Sequence, residues 1–213
     1  SSPDKIARYK GKFMKELELF FEKQINEHQL IVERSKSLLM DSFLATVKIC
    51  IDSLKDNKKL LFFGNGGSAS DAQHLATELS VKFSKDRRAI SAISLVTDTS
   101  ALSAIGNDFG FEFLFSRQIE AIGNVGDVAI GITTSGKSRN VINGLKKAKE
   151  NGLKCLALTG KFKKDLEKNC DQVISIPANN TSRIQEMHIM IGQMLCNAIE
   201  FELGLAPLVK EEK

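Results

Sequence analysis

Five short apolar runs, separated by helix-length stretches, constrain this chain more than any other feature. They are Leu60-Leu61-Phe62-Phe63, Ala92-Ile93-Ser94-Leu95-Val96, Val128-Ala129-Ile130-Gly131-Ile132, Cys155-Leu156-Ala157-Leu158 and Val173-Ile174-Ser175-Ile176. Each is apolar on consecutive positions, the pattern of a parallel strand covered on both faces. Helical stretches fill the gaps near 68–83, 111–121, 138–150 and 163–169, and a last one spans about 181–204, after Pro177. This alternation predicts an α/β fold with a parallel sheet.

Upstream of the first run there is no Pro after Pro3 and no Gly after Gly11. Phe13, Leu17, Phe20 and Phe21 repeat at helical spacing, and so do Leu38, Leu39, Phe43, Val47, Cys50 and Leu54. Two long helices are predicted, about 13–34 and 36–56. Such a pair cannot cover its own apolar face, so it must pack on the domain or on another subunit. The expected division is therefore a helical pair over 1–56 and an α/β domain over 57–208. The tail Lys210-Glu211-Glu212-Lys213 is expected to fray.

Composition narrows the function. The net charge is +4, with lysines spread along the chain, and the aromatics are 13 Phe, one Tyr and no Trp. That is a poor supply for base stacking and gives no basic stripe, so no nucleic-acid partner is expected. No apolar run approaches the roughly 18 residues that span a bilayer, and Ser1-Ser2-Pro3-Asp4 does not read as a signal peptide. Cys50, Cys155, Cys170 and Cys196 form no CxxC pair, so free thiols and a cytoplasmic location are expected.

Two strand-to-helix turns could carry chemistry. The first is Gly64-Asn65-Gly66-Gly67-Ser68-Ala69-Ser70. Its glycines let a ligand approach the backbone, and the helix that follows offers free N–H groups. The second, Thr133-Thr134-Ser135-Gly136-Lys137-Ser138, puts four hydroxyls in six residues at the end of a strand, a cradle for phosphate. Gly64, Gly66 and Ala69 also fit a loose dinucleotide fingerprint, but the acidic residue at the end of the second strand, Asp98, comes about 34 positions on rather than about 20. On the helix after the first turn His74 and Glu78 are one turn apart on one face, able to share a metal or to act as a base and its partner. Asn107 and Asp108 read as a turn between helices. On the last helix Gln185 and His188 are roughly co-facial, and Gln193 lies about 80° round from Gln185. His28 reads as a solvated residue.

Taken together, these motifs resemble the sugar isomerase (SIS) domain family, and within it the isomerases of seven-carbon sugar phosphates. The matching segments are Gly64-Asn65-Gly66-Gly67-Ser68, Asp71-Ala72-Gln73-His74, Glu78, Gly106-Asn107-Asp108-Phe109-Gly110-Phe111, Phe115-Ser116-Arg117-Gln118, Thr134-Ser135-Gly136-Lys137-Ser138 and Arg183-Ile184-Gln185-Glu186. The resemblance implies a five-stranded parallel sheet and a homotetramer with sites at subunit contacts. It implies conversion of sedoheptulose 7-phosphate to a D-glycero-heptose 7-phosphate through an enediolate, for bacterial surface-glycan heptose. Thr133, Thr134, Ser135 and Ser138 would hold the phosphate, with Ser68 nearby. Asn65, Gly66, Gly67, Asn107, Asp108 and Gln185 would contact the sugar, and Glu78 would be the base. It also implies a zinc site, for which His74, Glu78 and Gln185 match three ligands. The fourth position, usually His, is Gln193 here, which removes an imidazole ligand and an acid–base group together. A second reading, a non-catalytic scaffold of the same fold that binds a replication initiator, usually lacks the glutamate present here as Glu78. A third, a sugar-phosphate-sensing regulator, would need a DNA-binding segment that the first 56 residues do not suggest.

Overall fold

The computed structural model describes residues 3–209, so the expected fraying of Lys210–Lys213 lies outside the described residues. In chain order the elements are α1 (Pro3–Lys55), β1 (Leu60–Gly64), α2 (Gly67–Ser80), β2 (Ala92–Ser94), α3 (Thr99–Asp108), a 3₁₀ turn (Phe111–Phe113), α4 (Leu114–Ile122), β3 (Val128–Ile132), α5 (Arg139–Glu150), β4 (Lys154–Thr159), α6 (Lys164–Glu167), β5 (Gln172–Ser175) and α7 (Thr181–Glu202). The strands form one parallel sheet in the order β2-β1-β3-β4-β5. All five residues of β1 and of β3 are buried. Successive side chains feed opposite cores: Leu60 and Phe62 join α1, α2 and α7, whereas Leu61 and Phe63 join α3, α4 and α5. A two-sided core of this kind is why the strands read as unbroken apolar runs.

The N-terminal region departs from expectation. It is one continuous helix of 53 residues, not a pair. No helix breaker stands at the expected break, and Ser35 satisfies its hydroxyl inside the helix by donating to the Ile31 carbonyl at 2.7 Å. From Ile31 onward α1 packs on α7 and β5, burying Ile31, Leu39, Val47, Cys50 and Ile51. Every residue from Arg8 to Lys23 is exposed.

Three smaller expectations are also corrected. Asn107 and Asp108 are the last residues of α3 rather than a turn; the chain turns afterwards, at Gly110 with φ 110°. Leu102 and Ile105 pack α3 on the second core and so extend the helix this far. The second strand stops at Ser94, because the chain turns at Leu95 and Val96, where the Ser94 hydroxyl oxygen accepts the Val96 N–H at 3.3 Å; Asp98 then caps α3, its Oδ1 accepting the Ala101 N–H at 2.9 Å. His28 is not simply solvated: its Nδ1 lies 2.9 Å from Glu186 Oε2, joining α1 to α7. The cysteines are free as expected. Burial pushes the Cys50 and Cys155 thiols up to about 12, so they are inert. No helix among the described residues is long and apolar enough to cross a membrane.

A buried ion pair locks the two helices that matter below. Arg87 Nε donates to Glu200 Oε1 on α7 at 2.8 Å, both side chains being 2% or less exposed. The same guanidinium donates to the carbonyls of Glu78, Leu79 and Val81 at the end of α2. Removing one partner strands the other charge in the core. Glu200→Gln or Arg87→Met should therefore cost about 3–5 kcal/mol in urea unfolding.

His188 is a second buried polar group. Its Nε2 donates to the Thr159 carbonyl at 3.1 Å, while Nδ1 is buried without a partner. Burial lowers its pKa to about 4, and the carbonyl opposes this only partly. The unfolded imidazole binds a proton below about pH 6.5, the folded one only below about 4, so stability is full above pH 6.5 and falls toward pH 4. Between pH 7.5 and 4.5 the parent should lose about 2–3 kcal/mol more than His188→Gln, measured by urea unfolding of both. Equal losses would show that His188 does not carry this slope.

Candidate active site

The strand order reverses between β1 and β3, which opens a crevice at their carboxyl ends. Both turns singled out in the sequence open there. Their separation in space is set by a reciprocal amide pair: Asn65 Nδ2 donates to Asn140 Oδ1 at 2.7 Å, and Asn140 Nδ2 donates to Asn65 Oδ1 at 2.9 Å. The Asn65 amide is thus committed to joining the turns. Asn140, 2% exposed on the first turn of α5, had no motif to announce it.

The second turn is a hydroxyl cluster. Thr133 is buried, and its Oγ1 lies 3.0 Å from Ser138 Oγ and 3.5 Å from Ser135 Oγ. Thr133 Oγ1 accepts the Gly136 N–H and Ser135 Oγ accepts the Lys137 N–H. Because the Ser135 oxygen accepts from the backbone, its hydroxyl proton remains for another acceptor. The first-turn amides of α5 have no intrahelical acceptor and face the same end. Gly136 cannot be replaced here: its φ is 66°, and a Cβ would fall 2.1 Å from the Phe162 carbonyl. Lys137 adds a cation beside the cluster, its Nζ 4.7 Å from the Phe162 ring centre. Hydroxyls, unpaired N–H groups and a cation suit a phosphate.

The first turn meets α7. A Cβ on Gly67 would lie 2.5 Å from Gln185 Nε2, so Gln185 rests its amide on the bare backbone of the turn. Ser68, the next residue, is buried. Further along the two helices a second group forms. His74 Nε2 is 3.5 Å from Glu78 Oε1 and 3.0 Å from Gln193 Nε2. Glu78 is the more enclosed, at 19% side-chain exposure against 50% for His74. Asp71, a turn before His74, has a buried Oδ2 without a partner. Burial raises its pKa, and the His74 charge draws it back down. Asn107 and Asp108 bond each other at the exposed end of α3, and no hydrogen bond among the described residues ties them to either turn.

The donor set can be tested against a metal. Two ligands at 2.0–2.1 Å from a tetrahedral ion stand about 3.4 Å apart, close to the separations from His74 Nε2. Among the described residues no three His, Cys, Asp or Glu side chains cluster, so a cation would rest on one imidazole, one carboxylate and amide oxygens. Turning the Gln193 amide over would bring its oxygen to the ion. The residues fit a divalent cation, with a harder and weaker donor set than two imidazoles would give. Gln185 is placed at the glycine turn rather than with the other three. Besides Asn140, the sequence reading missed Arg87 and Glu200, which lie outside any motif and act only through the fold.

The comparisons with known proteins agree with the fold. An SIS domain model matches residues 24–160, and a second SIS domain model matches residues 118–203. The chain belongs to the SIS domain family. Phosphoheptose isomerase 1 of Campylobacter jejuni is 53% identical over 179 residues, 84% of this chain and 96% of that protein. The phosphoheptose isomerase of Paramagnetospirillum magneticum is 48% identical, over 85% of this chain and 94% of its own length. Among solved structures, phosphoheptose isomerase GmhA from Neisseria gonorrhoeae is 36% identical with a TM-score of 0.81, covering 87% of this chain and 99% of that one. Within the family the chain stands with the phosphoheptose isomerases.

The Gly67–Gln185 approach can be checked directly. Gly67→Ala would push away the end of a flexible side chain, not backbone, so its stability cost should stay within about 1 kcal/mol. Binding of a sugar phosphate, measured by calorimetry, should weaken by about tenfold as the Gln185 amide loses its place. Unchanged binding would mean that Gln185 takes no part.

Proposed function

We propose that the chain isomerises sedoheptulose 7-phosphate to a D-glycero-heptose 7-phosphate, in the cytoplasm and as a homotetramer, for heptose of bacterial surface glycans. The observation that carries this is the pair of turns at the β1–β3 crevice with Glu78 and His74 on the helix leaving one of them. Thr133, Thr134, Ser135 and Ser138 hold the phosphate, and Ser68 and the amides of Gly66 and Gly67 lie beside it. Gln185, Asn107 and Asp108 take sugar hydroxyls, and Asn65 sets the distance between the turns.

In the reaction Glu78 takes the C1 proton of the ketose. The C1–H pair becomes the C1=C2 bond, and the carbonyl pair moves onto O2, giving an enediolate. Glu78 returns the proton to C2, and the O1 proton transfers to O2 as C1 becomes the carbonyl. A free carboxylate is a weak base for a carbon acid, so the enclosed position of Glu78 and donors around O2 must make up the difference. A zinc ion, when bound, would be held by His74, Glu78 and Gln193 and would polarise the sugar carbonyl. Gln193 cannot exchange a proton near neutrality, which leaves the O1-to-O2 transfer to water, or to His74 when no metal is bound. The scaffold reading is weaker, since Glu78 is present and the relatives named above are isomerases.

Proton exchange tests the proposal. In heavy water with sedoheptulose 7-phosphate, C1 deuteration and aldose formation should appear by NMR and fall about 10²–10⁴-fold in Glu78→Gln. Gln193→His should raise turnover and tighten zinc, titrated calorimetrically, by about tenfold or more. A parent that binds the sugar phosphate but exchanges nothing, with or without zinc, would move the scaffold reading to the front.

A further inference from the structure

The first part of α1 has no counterpart in the matched SIS domain, which begins at residue 24. It is an exposed helical arm carrying Tyr9, Phe13, Leu17, Phe20 and Phe21, each 44–75% exposed. At 100° per residue Phe13, Leu17, Phe20 and Phe21 share one stripe, and Ile31 and Leu39, which α1 buries on its own domain, continue it. The arm therefore has the apolar stripe of a buried helix and nothing among the described residues to bury it. The domain offers the complement. An apolar groove of about 280 Å³ runs between α1 and α7, lined by Val32, Leu39, Phe43, Met187, Met190 and Met194 among others. Methionine-rich grooves adapt to the face of an amphipathic helix.

We propose that the arm of one copy lies in the α1–α7 groove of a second copy. The arm cannot reach its own groove, because residues 32–43 of the same continuous helix form one wall of it and no Pro or Gly between residues 12 and 55 allows a fold-back. The area is sufficient. Three phenylalanines and a tyrosine, about half to three-quarters exposed, offer on the order of 400–500 Å². With Leu17 and the neighbouring aliphatic residues this approaches the roughly 800 Å² that each partner gives to a stable interface. The inference rests on self-association, as the homotetramer does, but not on the number four.

A photo-crosslinking residue at position 20 of the full chain, in a mixture of isotopically heavy and light copies, tests it. Adducts joining position 20 of one copy to the α7 segment around Met190 and Met194 of the other label are expected. Phe20→Glu and Met194→Glu, both at exposed positions, should each weaken self-association about tenfold or more in sedimentation, and together by less than the product. Adducts between two arms, adducts confined to one label, adducts to lipid or to another protein, or none at all would overturn the inference. So would either glutamate variant sedimenting like the parent, and in that case the oligomer itself would stand. A parent that sediments as a monomer at all concentrations would remove both the inference and the homotetramer.

Discussion

A parallel sheet buried on both faces can present chemistry only at its ends, and everything functional here follows from that constraint. The helices that bury alternate residues of β1 and β3 leave no open face on which a sugar could lie. The crossovers all deliver their chain-reversing turns to the carboxyl edge, and the order β2-β1-β3-β4-β5 separates two of them at one place. The glycine turn and the hydroxyl turn are therefore opposed by topology before any side chain is chosen. The Asn65–Asn140 pair then sets their distance with two short amide bonds, a register device rather than a source of affinity.

The second half of the site depends on two helices keeping their relative position. His74 and Glu78 come from α2, Gln185 and Gln193 from α7, and none of these side chains is held by the sheet itself. Arg87 provides the tie. Its guanidinium joins three carbonyls at the end of α2 to a carboxylate of α7 that is wholly buried. A hydrophobic pair would hold the helices together with comparable strength but less direction. The planar fork of arginine fixes rotation as well as distance, and rotation of α2 is what would carry Glu78 out of line with the crevice.

Much of this was legible in the sequence, for physical reasons that also explain what was not. The five strands were visible because two-sided burial demands consecutive apolar residues. The two turns were visible because glycine and clustered hydroxyls have few other reasons to close a strand. The two expected helices are one because no Pro or Gly interrupts the chain between them and Ser35 bonds within the helix, which lets it continue. Asn107 and Asp108 read as a turn because their residue types favour turns, yet packing of Leu102 and Ile105 carries the helix through them. Asn140, Arg87 and Glu200 were invisible for a different reason. Each works through a partner between 75 and 113 positions away, and no local pattern encodes such a distance.

Gln193 decides what the group around His74 can offer a metal or a proton. An imidazole at that position would offer both a nitrogen ligand and a group that titrates near neutrality. An amide offers neither, but it can donate through its nitrogen and accept through its oxygen at once. Here its nitrogen faces the one lone pair of His74 that a metal would use. With its nitrogen donating there, the amide occupies that lone pair when no cation is bound. With a cation it must turn over and present its oxygen, so metal binding has to break a hydrogen bond that a histidine ligand would never have made. On the proposed reading an amide here would be a weaker metal ligand than an imidazole and would first have to give up its bond to His74. Glu78 and the hydroxyl turn do not depend on that amide, so under the proposed function its cost would fall on proton shuttling and on metal rather than on sugar-phosphate binding.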